Sequence, residues 1–128
     1  MSKKAERGKR KMTGNEAYSA AISRLGYGDA PELKARALAV VNQVYADLHY
    51  CVSPGKPFLP LKNLNGEIEL PERAADELMP AGTAAFLAQS VSDGDSQQLW
   101  ISIYNRKRAA LTRLDRRTDV FPAVTSDI

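Results

Sequence analysis

Two residue types on which much protein chemistry depends are nearly missing from this 128-residue chain, which has one cysteine and one histidine. A lone Cys51 excludes an intramolecular disulfide, and its place on an apolar helical stripe reads as a small buried hydrophobe. A lone His49, set in "HYC", leaves no zinc spacing and no second imidazole, so any His-based metal site or nucleophile–base pair would have to use it. Its reading is a group that caps or edges a helix. Long apolar runs are missing as well: the longest is a handful of residues, against the eighteen or so of a membrane span, and no hydrophobic signal segment follows the basic N-terminus. The expectation is a protein made and kept in the cytoplasm, without a membrane partner.

What is present has the composition of an ordinary globular chain, 44% hydrophobic and 26% charged. Its length suits one domain, able to bury roughly two thirds of the surface that the unfolded chain exposes. The net charge of +3 hides a division along the chain. Residues 1–12 carry Lys3, Lys4, Arg7, Lys9, Arg10 and Lys11 against Glu6, a net +5. Residues 13–105 carry six basic and eleven acidic residues, a net −5, and residues 106–128 return to +3. Basicity lives at the two ends and the body is acidic.

The segment "MSKKAERGKRKM" has no apolar periodicity and repels itself, so residues 1–12 are expected to form a flexible basic tail. A helical domain over 13–117 should follow, opened by "TGNE", a capping box of Thr13 and Glu16. Tyr18, Ala21, Ile22 and Leu25 recur at helical steps, and Gly26 to Gly28 end that helix. In "DAPE", Asp29 can cap a second helix with Pro31 in its first turn. Leu33, Ala37, Leu38, Val41, Val44, Tyr45, Leu48, Cys51 and Val52 trace its apolar face, flanked by Arg36, Asn42, Gln43 and Asp47.

"SPGKPFLP" must be a loop or an extended crossing, and "NGEIELP" reads as a short extended piece or half a hairpin, too short to found a sheet. From Pro71 to Met79 the pattern is helical, with Ala74, Ala75 and Leu78 on one face, until Pro80 bends or restarts it. Ala81, Gly82, Thr83, Ala84 and Ala85 then allow a close helix approach, with Phe86 and Leu87 filling the core. "LWISIY" alternates like a strand, but Leu99, Ile103, Ala110 and Leu114 also fit a helix. The pairing of Asp95 with Gln98 and the absence of a turn through "NRKRAALTRL" favour one helix from about Ser96 to Leu114. Residues 118–128 read as an extended arm. The predicted fold is all-α, a small bundle of about four helices with a Pro-broken third helix and extended terminal arms.

No enzyme signal survives inspection, and no cofactor is implied. "DGDS" opens like a calcium loop but places Gln98 where glycine is needed and Tyr104 where a bidentate glutamate is needed. "GYGD" lacks the third glycine and preceding strand of a dinucleotide fingerprint, and "SPGKP" lacks the first glycine and hydroxyl of a phosphate loop. Asp76 and Glu77 fall on a polar helix face. The tail cations Lys3, Lys4, Arg7, Lys9, Arg10 and Lys11 are the candidates for contact with phosphates or an acidic partner, by a salt-sensitive mode without base reading.

Taken in order, the helix ending in "RLGY", the helix "RALAVVNQVYADL", the link "FLPLKNLNGEIELP", the broken helix "ELMPAGTAAFLAQSVSDGDSQ" and the helix "SIYNRKRAAL" resemble the head-to-tail connector adaptors of tailed bacteriophages. The resemblance spans roughly residues 14–115 and is one of element order and local wording. It implies a virion neck protein, assembled in the host cytoplasm, that forms a ring, usually of twelve copies, beneath the portal and offers a face to later neck or tail-completion proteins. It implies no catalysis. Such adaptors send a C-terminal arm onto the portal, which makes Asp119, Val120, Phe121, Pro122 and Val124 the candidate docking strip. A ring would place Phe58, Leu59, Leu61, Leu64 and Ile68 at intersubunit contacts, and the cationic ends could meet the portal or packaged DNA. The competing reading is a small phage DNA-binding or inhibitory protein that acts through its basic tail.

Overall fold

The computed structural model describes residues 9–119, with side chains from 11 to 111. Among them, four α-helices and a two-stranded sheet follow in the order β1 (Lys9–Thr13), α1 (Gly14–Leu25), α2 (Pro31–Val52), β2 (Glu67–Pro71), α3 (Met79–Ser90) and α4 (Gly94–Asp119). The fold is the small all-α bundle expected, with one addition at its edge.

That addition corrects two expectations. Residues 9–12, assigned to the flexible tail, form β1 and pair antiparallel with β2, so "EIELP" does found a sheet within its own chain. Lys11 lies across from Glu69, and Met12 lies across from Ile68. Opposite charges thus meet on one face, while Met12, Ile68 and Leu70 are buried on the other. The remaining tail residues, 1–8, lie outside the described residues.

The α1 capping box is formed as read: Glu16 N–H donates to Thr13 Oγ1 at 3.1 Å and Thr13 N–H donates to Glu16 Oε1 at 3.0 Å. Gly26 closes the helix at φ +74°, where glycine carries no Cβ penalty. Two other caps differ from expectation. At α2 the N-cap is Ala30 with no side-chain bond, because Asp29 instead accepts from Tyr18 Oη at 2.8 Å. At α4 the cap is Asp93, not Asp95: its Oδ1 accepts from Ser96 N–H at 3.2 Å, and the helix begins two residues earlier than read. Its other carboxylate oxygen accepts from Tyr27 Oη at 2.5 Å, tying the α1–α2 link to the α3–α4 link.

Pro80 does not break the third element. A π-helical turn at Ala74–Leu78 precedes it, and Met79 N–H reaches back five residues to Ala74 C=O. The wider turn relocates the Asp76 carbonyl that the Pro80 ring would otherwise meet four residues back, so the chain passes into α3 without a gap. Helix α3 is buried nearly all round, from Met79 to Ala85, and is the axis of the bundle. Gly82 sits where an added Cβ would lie 2.7 Å from Val44 Cγ1 and 2.8 Å from Tyr104 Cε1, so α2 and α4 both press on it.

Those contacts fix the directions. Arg36 in α2 donates to the Ser90 carbonyl at the end of α3, while Lys107 in α4 meets Glu77 before its start. Helices α2 and α4 therefore run together, antiparallel to α3. Both the Lys9 end of β1 and the last turns of α4 fall at the pole where α2 ends. Helix α4 continues to Asp119, past the expected start of an extended arm at 118. Cys51 is half-buried rather than core, as is Leu38, and Val40 takes a core position that the stripe omitted.

Candidate interaction surface

Among the described residues no group of His, Cys, Asp or Glu is placed to hold a metal, and no helix is long and apolar enough to cross a membrane. The functional interest lies in the segment between α2 and β2, which is unusually well fastened for a stretch without regular structure. Helix α2 ends where Ser53 N–H donates to His49 C=O, and a turn closes from Lys56 N–H to Ser53 C=O at 3.1 Å. His49 Nε2 then donates to the Lys56 carbonyl at 2.7 Å, which gives the histidine its work: it edges the helix and clamps the loop.

Asn42 holds the next bend from both sides. Its Nδ2 donates to Leu61 C=O at 3.0 Å, and its Oδ1 accepts from Leu61 N–H at 2.8 Å, as a neighbouring strand would. Beyond it, Asn15 N–H donates to Leu64 C=O at 2.8 Å and Gly14 N–H to Gly66 C=O at 3.1 Å, seating the loop on the start of α1. An added Cβ on Gly14 would come within 3.1 Å of Leu61 and Leu64, so the loop packs tightly on this glycine. Pro54, Pro57 and Pro60 remove freedom between the clamps.

The five residues assigned to intersubunit contacts divide. Ile68 is fully buried in β2 and belongs to the chain's own core, because the β1–β2 register turns it inward; it is not surface. Leu61 and Leu64 are partly buried against the core. Phe58 stands edge-on to Tyr45, with ring centroids 5.1 Å apart, and packs at 5.6 Å from His49. Leu59 is 77% exposed, the most exposed large hydrophobic side chain among the described residues. Tyr50, which the sequence reading missed, is 52% exposed and extends the same aromatic shelf beside His49 and Phe58.

A second surface feature lies on the other side of α2. Helices α2 and α4 touch mainly through Asp47, which accepts from Tyr104 Oη at 2.5 Å and from Arg108 Nε at 2.7 Å. Burial, then the Asp47 carboxylate, hold the Tyr104 phenol well above its usual range, while the bond to Asp47 raises Arg108 further. Between α2 and α4 lies a groove of about 400 Å³, lined by Gln43, Asp47, Phe86, Ile101, Tyr104, Asn105 and Arg108.

Of the tail cations, Lys9, Arg10 and Lys11 are placed in β1, and Lys11 is exposed. Lys3, Lys4 and Arg7 lie outside the described residues. Asp119 is the last residue of α4, and Val120, Phe121, Pro122 and Val124 of the docking strip lie outside the described residues. No protein-family model, no curated protein and no solved structure matches the chain.

Proposed function

We propose that this chain is a structural neck component of a tailed bacteriophage, a head-to-tail connector adaptor that forms a ring under the portal and links the DNA-filled capsid to the tail. The observation that carries the reading is the clamped loop: bonds from His49, Asn42, Gly14 and Asn15 hold a proline-rich segment rigid while Leu59 stands in solvent. A loop fixed in this way costs little further ordering when it docks, which suits a protein whose work is assembly. The bundle order and the wording from Pro71 to Gln97 support the same reading.

In it, Asp119, Val120, Phe121, Pro122 and Val124 meet the portal, later neck or tail-completion proteins bind the assembled ring, and nothing is catalysed. Light scattering of the chain with and without purified portal rings tests this. Co-migration with the portal as a multi-copy ring, lost on deleting residues 120–128 with helicity unchanged, is the expected result. A chain that ignores portal rings refutes the reading. Retention on duplex DNA that falls steeply with salt and is lost without residues 1–8 would favour the DNA-binding alternative.

A further inference from the structure

We infer that the outer face of α4 is a docking surface for the phosphate backbone of duplex DNA, bound without regard to base sequence. The inference stands apart from the adaptor reading and from the tail-based alternative, because it places the contact on a folded helix.

Three observations carry it. First, the cations are concentrated while the rest of the folded body is acidic. From Ser96 to Arg117, α4 holds Arg106, Lys107, Arg108, Arg113, Arg116 and Arg117 against one acid, Asp115, whereas residues 13–95 carry six basic and eleven acidic residues. Second, the ion pairs within the bundle leave one face of the helix unneutralised. Arg108 is taken by Asp47 and Lys107 by Glu77. Arg106, on the far side of α4 from buried Tyr104, is exposed and makes no hydrogen bond or ion pair with a described residue. By helical rotation, positions 113 and 117 fall within about 20° of position 106, while position 115 falls on the Tyr104 side. The three arginine positions span roughly 17 Å of helix, a length of duplex that carries about ten phosphates. Third, helix stability does not account for them. Cations in a last turn complement the helix dipole, but that effect fades within a turn, and Arg106 and Arg113 lie further than that from the end at Asp119.

The face suits a polyanion better than a protein. Positions 102, 106, 109, 113 and 117 hold serine, alanine and arginine, so no large apolar side chain is there to anchor a protein partner. Exposed Ser102 and Ala109 leave the backbone of α4 open to close approach, and guanidinium groups pair well with phosphate oxygens.

The experiment measures binding of a labelled duplex of about 20 base pairs to the full-length chain by fluorescence anisotropy, over about 50–200 mM salt. Arg106→Gln, Arg113→Gln and Arg117→Gln together should weaken binding by at least about tenfold at the lowest salt and reduce the slope of log Kd on log salt by about 2.7. Arg106→Gln alone should reduce the slope by about 0.9, and Arg106→Lys should restore it. Lys34→Gln, Lys56→Gln and Lys62→Gln together remove the same charge from exposed positions outside α4 and should leave affinity and slope near wild type. Equal losses in the two triple variants, no binding by wild type at the lowest salt, or polyglutamate that competes as well as the duplex overturns the inference. Each of these outcomes leaves the adaptor reading untouched, since portal binding by the same chains reports on that reading separately.

Discussion

Tyr104 on α4 donates its hydroxyl to Asp47 on α2 at 2.5 Å, and the same carboxylate takes Arg108 through two further bonds at 2.7 and 3.1 Å. These side chains supply the main polar tie between two helices that otherwise lean on α3 rather than on each other. Tyr104 is 4% exposed, so its hydroxyl has little recourse to water. Tyr104→Phe is expected to cost about 1–2 kcal/mol, a charged hydrogen bond discounted for the solvent that reaches Asp47 and Arg108. Asp47→Ala should cost more, since it strands the buried phenol and also removes the ion pair to Arg108. Urea melts of the two variants check the order, and equal stability in wild type and Tyr104→Phe would remove the tie from the account.

The core around that tie makes a sharper demand. Val44 is fully buried and Tyr104 is pinned, so neither can retreat from a methyl group at Gly82. Gly82→Ala is expected to destabilise the chain by about 1–3 kcal/mol despite the better helix propensity of alanine. Val44→Ala in the same chain should recover part of that loss. A double-mutant cycle reads the coupling, which must be favourable if the Cβ clash is the cause.

The helices themselves were legible because periodicity and caps agree over long stretches. Thr13 with Glu16, the Gly26 stop and the Leu33-to-Leu48 stripe are local signals that tertiary packing did not override. The strand β1 was illegible for a physical reason: "KRKMT" has one apolar residue, and its stability comes from acids and apolar groups more than fifty residues away in "EIELP". Only the complementarity of the two segments, cations against Glu67 and Glu69, could have signalled it. Asp93 was missed as a cap because Asp95 offered an equally good local pairing; Tyr27, far off in sequence, helps fix Asp93 in place. The candidate surface was half legible. Prolines marked the loop, but that Ile68 turns in and Leu59 turns out depends on a sheet that had not been foreseen.

The loop clamp can be tested apart from assembly. Asn42→Ala removes both bonds to Leu61 and leaves its backbone N–H and C=O without the side chain that imitated a strand. Local opening should become easier by about 1.4 kcal/mol, which is roughly a tenfold faster hydrogen exchange at the Leu61 amide. The α1 and α3 amides should be unaffected. An unchanged Leu61 rate would show that the prolines alone hold the loop.

Two Tyr–Asp latches join the Tyr104–Asp47 pair in shaping the pH behaviour. Burial first, then Asp29 and Asp93 respectively, push the phenols of Tyr18 and Tyr27 up to about 12 from 10.0. The folded state thus holds these protons more tightly than the unfolded chain. Their contribution is fully present below pH 10 and is lost as pH rises from 10 toward 12. Conversely, the Tyr27 hydroxyl, then Ser96, hold the Asp93 carboxyl below its ordinary 3.8, so its contribution is present above that value and is lost as pH falls beneath it. Tyr27→Phe should move the Asp93 titration toward higher pH and flatten the alkaline loss. Carboxyl NMR titration and denaturation at pH 8, 10 and 11 report the two effects separately; an Asp93 titration unmoved in Tyr27→Phe would dissolve the latch.

The last prediction concerns a hydroxyl with no visible purpose. Thr83 is fully buried in α3, and its Oγ1 has no hydrogen-bond partner among the described residues, so folding strips it of water and returns nothing. Valine has nearly the same shape without the polar atom. Thr83→Val is therefore expected to stabilise the chain by about 1 kcal/mol, against the usual direction of core substitutions. Thermal and urea unfolding check the sign. A loss of stability instead would mean that the hydroxyl donates to something in solution, a trapped water or the Met79 carbonyl one turn back, and that α3 carries a polar contact at the centre of the bundle.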